Sequence, residues 1–223
     1  MDETRAEMLN SLKYQELNND QRREYVNTQQ RFMAWVDAKT RLGELRGSMV
    51  WQTVNGADYL ARSAYTKQGV RKQTSLGPRS AATEGIKRDF EFAREAAKSR
   101  FKDVDAAMNR QAAVNRALGL GRVPMLGARI IRAIDEIGSL GAGLRIVGTN
   151  AIYAYEAAAG VMVDAGITTT GDIDLLFDSR GGLRFLVSED ISERSLLAAL
   201  RNVDKSFERS RQTFRAQNAE GYL

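Results

Sequence analysis

The chain contains no cysteine and no histidine. The first absence excludes disulfides, thiol nucleophiles and cysteine-based zinc sites, and the second removes imidazole as a base or a metal ligand. Any catalytic chemistry is left to carboxylates, Lys, Ser/Thr, Tyr or a metal held by oxygen ligands. Also missing is an apolar run long enough to span a bilayer. The richest window, Ala151 to Val163, is interrupted by Glu156 and followed by Asp164. The opening Met-Asp-Glu-Thr-Arg lacks the basic-then-apolar order of a signal peptide. A cytoplasmic protein without a membrane partner is the expectation.

What is present fits an ordinary globular protein. The 223 residues suit one large domain or two small ones, and 43% apolar with 27% charged residues is the usual balance. An excess of 33 Lys+Arg over 28 Asp+Glu gives a net charge of +5. Such mild basicity is compatible with a polyanionic partner without specifying one.

Residues 1 to about 45 read as packing helices, rich in Glu, Gln, Arg and Leu, with Tyr25, Val26, Phe32, Met33 and Val36 at mostly helical spacing. Asp20 suits an N-cap. From Gly47 to Gly77 the pattern predicts three short antiparallel strands near 48–54, 57–65 and 70–76, with Asn55-Gly56 as a hairpin turn. This sheet is basic and carries Trp51, Tyr59 and Tyr65. It suits either contact with nucleic acid through Arg62, Arg71 and Lys72 or an ordinary solvated surface whose aromatics pack on helices. Residues 81–117 read as a long helix with Ile86, Phe90, Ala93, Ala97, Phe101, Val104 and Met108 along one stripe. That stripe is either an internal seam or a homodimer contact. Gly119, Gly121 and Pro124 then mark the boundary between a helical region with its small sheet (1–120) and a second domain (121–223).

The second domain holds the chemical signal. Leu144 to Val147 reads as a short buried strand, and Gly148-Thr149-Asn150 turns into a helix near Ala151. A helix N-terminus offers unpaired N–H groups to a phosphate, and glycine lets a ligand approach the backbone. Downstream, Thr170-Gly171-Asp172-Ile173-Asp174-Leu175-Leu176-Phe177-Asp178 reads as a strand. Alternation puts Asp172 and Asp174 on one face and Ile173 and Leu175 on the other. Two adjacent carboxylates repel unless a cation lies between them, and a hard divalent ion is the usual answer. Arg180, Arg184, Lys205 and Arg209 are candidate phosphate-neutralising cations, each equally readable as a surface charge.

A strand, a glycine turn and then Asp-x-Asp between apolar residues resembles the nucleotidyltransferase fold of the DNA polymerase β superfamily. Trp51, Asn55-Gly56, Tyr59-Leu60, Ser75-Leu76-Gly77-Pro78-Arg79, Gly148-Thr149-Asn150-Ala151, Tyr155-Glu156 and Thr170 to Asp174 look like a bacterial family of nucleotidyltransferase-fold proteins. The likeness spans roughly residue 45 to the C-terminus. It implies an α+β protein with a mixed sheet flanked by helices in its second domain. It also implies transfer of a nucleotidyl group from an NTP to an acceptor. In that scheme Asp172 and Asp174 hold Mg²⁺ or Mn²⁺, and Gly148, Thr149, Asn150, Lys205 and Arg209 serve the nucleotide. Lys205 ranks first with Arg209, because Asp204-Lys205-Ser206-Phe207 also resembles the family.

Two features depart from the family. The turn is Gly-Thr rather than Gly-Gly or Gly-Ser, which keeps a hydroxyl for a phosphate oxygen. The third carboxylate of the superfamily follows a Gly-Tyr-apolar segment, and here Gly221-Tyr222-Leu223 ends the chain. A C-terminally incomplete and catalytically impaired domain is therefore expected, and substitution of the missing ligand by Glu208 or Asp178 is the less favoured alternative. The alternative is a non-catalytic module that binds nucleic acid or a partner and keeps a vestigial nucleotidyl site.

Overall fold

The computed structural model describes residues 14–65, 70–138, 140–141, 143–168, 172–177, 193–211 and 215–221. Gly171, Asp178, Arg180 and Arg184 lie outside the described residues. The chain separates into two compact units: Arg23–Leu120, and Met1–Arg22 together with Gly121–Leu223. Both mix helices with small antiparallel sheets, an α+β construction.

The first unit joins two long helices through a three-stranded sheet. Helix α1 (Asn19–Glu44) is followed by β2 (Ser48–Val54), β3 (Ala57–Tyr65), β4 (Arg71–Pro78) and helix α2 (Ala81–Ala117). The Asn55-Gly56 turn has positive φ at both residues, 51° and 79°. This is the hairpin geometry that Asn-Gly favours. In β3, the central strand, the register shifts between Leu60 and Ala61. The irregularity puts both neighbours inside, at 0% and 3% exposure, where strict alternation would bury one. Ser80 caps α2 and Thr83 reciprocates, with backbone and side chain exchanged at both residues.

Buried positions of α2 fall at Thr83, Phe90, Ala97, Val104 and Gln111, seven apart throughout. That repeat belongs to a two-helix seam. The partner is α1 of the same chain. Trp35 meets the Phe101 ring and donates through Nε1 to Asp105 (2.9 Å), while Thr28 and Asn115 hydrogen-bond to each other. Gln111, nearly inaccessible, donates to Glu24 and accepts from Arg31. The helices run antiparallel, since rising α1 numbers meet falling α2 numbers. Within the chain Phe90, Ala97 and Val104 of the stripe are buried, and Ile86 is exposed.

The second unit begins with β1 (Tyr14–Glu16), which the sequence reading assigned to a helix. Three residues show no strand period. They are fixed by antiparallel pairing with β6 (Val161–Val163), far along the chain, and this pairing groups the first 22 residues with 121–223. Then follow α3 (Met125–Glu136), β5 (Leu144–Val147), α4 (Gly148–Ala159), β6, α5 (Ala165–Thr168), β7 (Asp174–Phe177), α6 (Glu193–Val203), β8 (Glu208–Arg209) and β9 (Ala216–Gln217). Strand β5 pairs antiparallel with β7. Among the described residues this pair is two-stranded, smaller than the mixed sheet expected. The core comprises Ile130 and Ile134 of α3, Leu144 of β5, Leu200 of α6 and Phe207, with Ile173 and Leu175 packed on it. Spacing of three and four puts Gly127, Ile130 and Ile134 on one face of α3.

Among the described residues, no helix is long and apolar enough to cross a membrane.

Candidate functional site

The segment that enters β7 keeps the alternation read from its sequence. Asp172 and Asp174 are exposed, while Ile173 and Leu175 are partly buried against the core. Strand pairing covers only Asp174 onward, so Asp172 stands just ahead of the ladder. Its backbone is held instead by a side chain. Asn150, 5% exposed inside α4, donates from Nδ2 to the Asp172 carbonyl at 2.6 Å. A buried amide that fixes this carbonyl sets where the Asp172 carboxylate starts from.

Asp174 is placed by β5. It lies opposite Val147 in the register, and the next residue, Gly148, turns the chain into α4. Gly148 has φ +62°, and a Cβ built there would fall 2.1 Å from Asp174 Oδ2. The glycine is therefore required twice, by its left-handed backbone and by the carboxylate against it. The N-cap residue of α4, Val147, makes no side-chain cap hydrogen bond. The N-terminus is the positive end of a helix, and Gly148, which begins α4, lies against the Asp174 carboxylate.

Both carboxylates and Gly148 line a cavity of about 510 Å³. Its apolar wall comes from Ile130, Leu196, Leu200 and Phe207, and Arg215 and Ala216 complete it from the β8–β9 hairpin. Helix α4 is anchored at its far end. Glu156, 8% exposed at its side chain, receives Arg122 Nη1 and the Val163 N–H, and Arg122 also reaches Thr168. Gly160 closes the helix in left-handed conformation and accepts from Leu17 N–H.

The donor set can be tested against a divalent ion. Among the described residues no group of three acidic side chains converges. Two exposed carboxylates beside a helix N-terminus fit Mg²⁺, which commonly takes one or two protein carboxylates and completes its shell with water and substrate phosphates. The tight approach of Gly148 to Asp174 leaves no Cβ in the way of such phosphates.

The two carboxylates, Gly148, Asn150 and the cavity lining all fall in one stretch of the chain. Residues 126–223 match the model of the Nucleotidyltransferase family. The match supports a nucleotidyltransferase-like function for this stretch. No curated protein and no solved structure matches the chain.

The other residues singled out in the sequence are distributed as follows. Thr149 is half-buried in the first turn of α4, next to Asn150. Lys205, exposed, lies in the turn after α6, and Arg209, exposed, lies on β8; neither lines the cavity. Glu208, exposed on β8, does not line it either. Asp204, beside Lys205, is held below the usual carboxylate range. Its carboxylate accepts the Ser206 N–H first, then the Ser206 hydroxyl and the Asn218 amide. This loop ties α6 to the base of the β8–β9 hairpin. Arg215 was missed, because nothing in its local sequence marks it; it enters the site through hairpin pairing.

The basic sheet of the first unit uses much of its charge internally. Arg62 lies over the Phe90 ring and donates to the Glu44 carbonyl, and Arg71 donates to Ser63. Arg79 covers Trp51 and pairs with Asp58 and Glu84. Lys72 is exposed on β4.

Proposed function

We propose that the unit built on residues 121–223 is a metal-dependent nucleotidyltransferase site that moves a nucleotidyl group from an NTP to an acceptor hydroxyl. The observation that carries this reading is the junction of β5, α4 and β7. There Gly148, at the head of α4, lies against the Asp174 carboxylate, and Asn150 holds the backbone of Asp172. Phosphate and divalent cation need to meet at one point for this chemistry, and a glycine turn against paired carboxylates suits both. Asp172 and Asp174 would hold Mg²⁺ or Mn²⁺. When bound, the ion supplies charge neutralisation at the phosphates and lowers the pKa of the attacking hydroxyl. Gly148 and Thr149 would border the triphosphate, and Asn150 would keep Asp172 in place. The family match of residues 126–223 supports the same class of reaction.

One observation favours a second reading in which the site binds but does not turn over. Among the described residues, Asp172 and Asp174 are joined by no third acidic side chain. A hydroxyl-activating ion would then be weakly held, and the protein would act by binding nucleotide, nucleic acid or another partner.

Transfer of label from each of the four α-³²P NTPs, with Mg²⁺ or Mn²⁺ and cellular RNA and protein as acceptors, separates the readings. Labelled product that disappears with Asp172→Asn or Asp174→Asn supports catalysis. Metal-dependent NTP binding without product supports the second reading. Absence of both contradicts each.

A further inference from the structure

The charge of the cavity raises a question that the acid pair leaves open. Asp172 and Asp174 together balance one divalent ion, so the remaining charges of a triphosphate need another cation. Of the four cations the sequence suggests, Arg180 and Arg184 lie outside the described residues, and Lys205 and Arg209 do not line the cavity. Arg129 and Arg201, which donate to the Val203 and Phe207 carbonyls, do not line it either. Among the described residues that line the cavity, Arg215 is the one that carries positive charge.

We infer that Arg215 is the anion-binding residue of this site and takes the phosphates of the incoming nucleotide. The inference rests on the nucleotidyltransferase reading and assigns its triphosphate subsite. Three features hold Arg215 where this role requires it. Its carbonyl accepts the Ser210 N–H at 3.0 Å, across the hairpin. Its neighbour Ala216 pairs with Arg209 in the ladder and packs against the core. The base of the hairpin is locked by Asn218 to Asp204 (3.0 Å) and by Ala219 N–H to the Ser206 hydroxyl (3.0 Å), next to fully buried Phe207. The backbone of Arg215 is thus fixed while its side chain is exposed. A guanidinium on a fixed stem offers paired N–H donors that match phosphate oxygens, which a lysine in the same place would meet as a point charge.

The subsite also explains how one cavity can hold ligands of both signs. The divalent ion goes to the carboxylates, and the phosphates span from that ion and the α4 N-terminus to the guanidinium. Metal and triphosphate should therefore bind cooperatively, with Arg215 contributing to the anion alone.

Tripolyphosphate is the cleanest probe, because it presents the phosphates without a base. Isothermal titration of the full chain would measure Mg²⁺ alone, then tripolyphosphate and ATP in saturating Mg²⁺, for the unaltered protein and for Arg215→Gln, Arg215→Lys, Lys205→Ala and Arg209→Ala. Arg215→Gln should weaken both phosphate ligands by about tenfold or more, the loss expected for a charge-assisted hydrogen bond. It should bind Mg²⁺ no more weakly than before. Arg215→Lys should fall between, and Lys205→Ala and Arg209→Ala should match the unaltered protein. Unchanged phosphate affinity in Arg215→Gln, or an equal loss in Lys205→Ala, overturns the assignment while leaving the nucleotidyltransferase reading standing. Weakened Mg²⁺ binding in Arg215→Gln overturns it too, since the residue would then be supporting the acid pair. Failure of the unaltered protein to bind ATP with Mg²⁺ contradicts both the assignment and the reading beneath it.

Discussion

Gly148 is the residue whose replacement is most sharply constrained. A methyl group there would overlap Asp174 Oδ2 at 2.1 Å and sit on a backbone with φ +62°. The backbone alone costs on the order of 1–3 kcal/mol for a non-glycine residue. Relief of the overlap must come from Asp174, because the β5–β7 register holds both backbones. Gly148→Ala should lower stability by about 1–3 kcal/mol in urea unfolding, and weaken Mg²⁺ by about tenfold or more in calorimetric titration. Unaltered metal affinity would show that Asp174 is not a ligand. Asp204 gives a test with pH. Its hydrogen bonds from Ser206 and Asn218 favour the ionised form, so the folded pKa lies below the unfolded one. The resulting stability is present in full above the unfolded value, near 3.9, and is lost as pH falls through the folded value. Asp204→Asn should therefore flatten the fall in the urea midpoint below about pH 4. A variant that loses stability on acidification as steeply as the parent would contradict this.

The elements divide into those whose sequence announces them and those fixed by distant contacts. Helix α2 is legible because its apolar residues recur at three and four. Asn55-Gly56 announces its hairpin through the positive φ it tolerates. Alternation at Asp172, Ile173, Asp174 and Leu175 is visible because a strand with one packed face needs it. Strand β1 is not legible, since Tyr14–Glu16 acquires its state only from Val161–Val163. Arg215 is hidden for the same reason, as are the partners that Arg62, Arg71 and Arg79 find within the fold. The α1–α2 seam carries its own prediction. Gln111 sits at a position where the heptad asks for an apolar side chain, and it joins Glu24, Arg31 and Asn115. Gln111→Ala strands these groups and opens a cavity, and should cost about 2–4 kcal/mol in urea unfolding. A change below about 0.5 kcal/mol would mean that water replaces the amide at no loss.

At the scale of the molecule, the two units have different physical characters. Residues 23–120 are built around a helix seam and a sheet whose arginines largely serve the fold. The second unit gathers a glycine turn, two carboxylates, an arginine and an apolar wall around one cavity, inside the segment that matches the Nucleotidyltransferase family. The central claim is that Asp172 and Asp174, in the second unit, bind nucleotide through a divalent ion. The most direct test is a thermal-shift titration of the full chain with each of the four NTPs, with Mg²⁺ and with EDTA, repeated for Asp172→Asn/Asp174→Asn. Binding to the folded state raises the melting temperature by mass action, about 2.7 kcal/mol of stabilisation at a ligand concentration one hundred times Kd. The predicted result is a rise with at least one NTP that requires Mg²⁺ and vanishes in the double variant. A melting temperature unmoved by any NTP with Mg²⁺, or moved equally in the double variant, would contradict the claim.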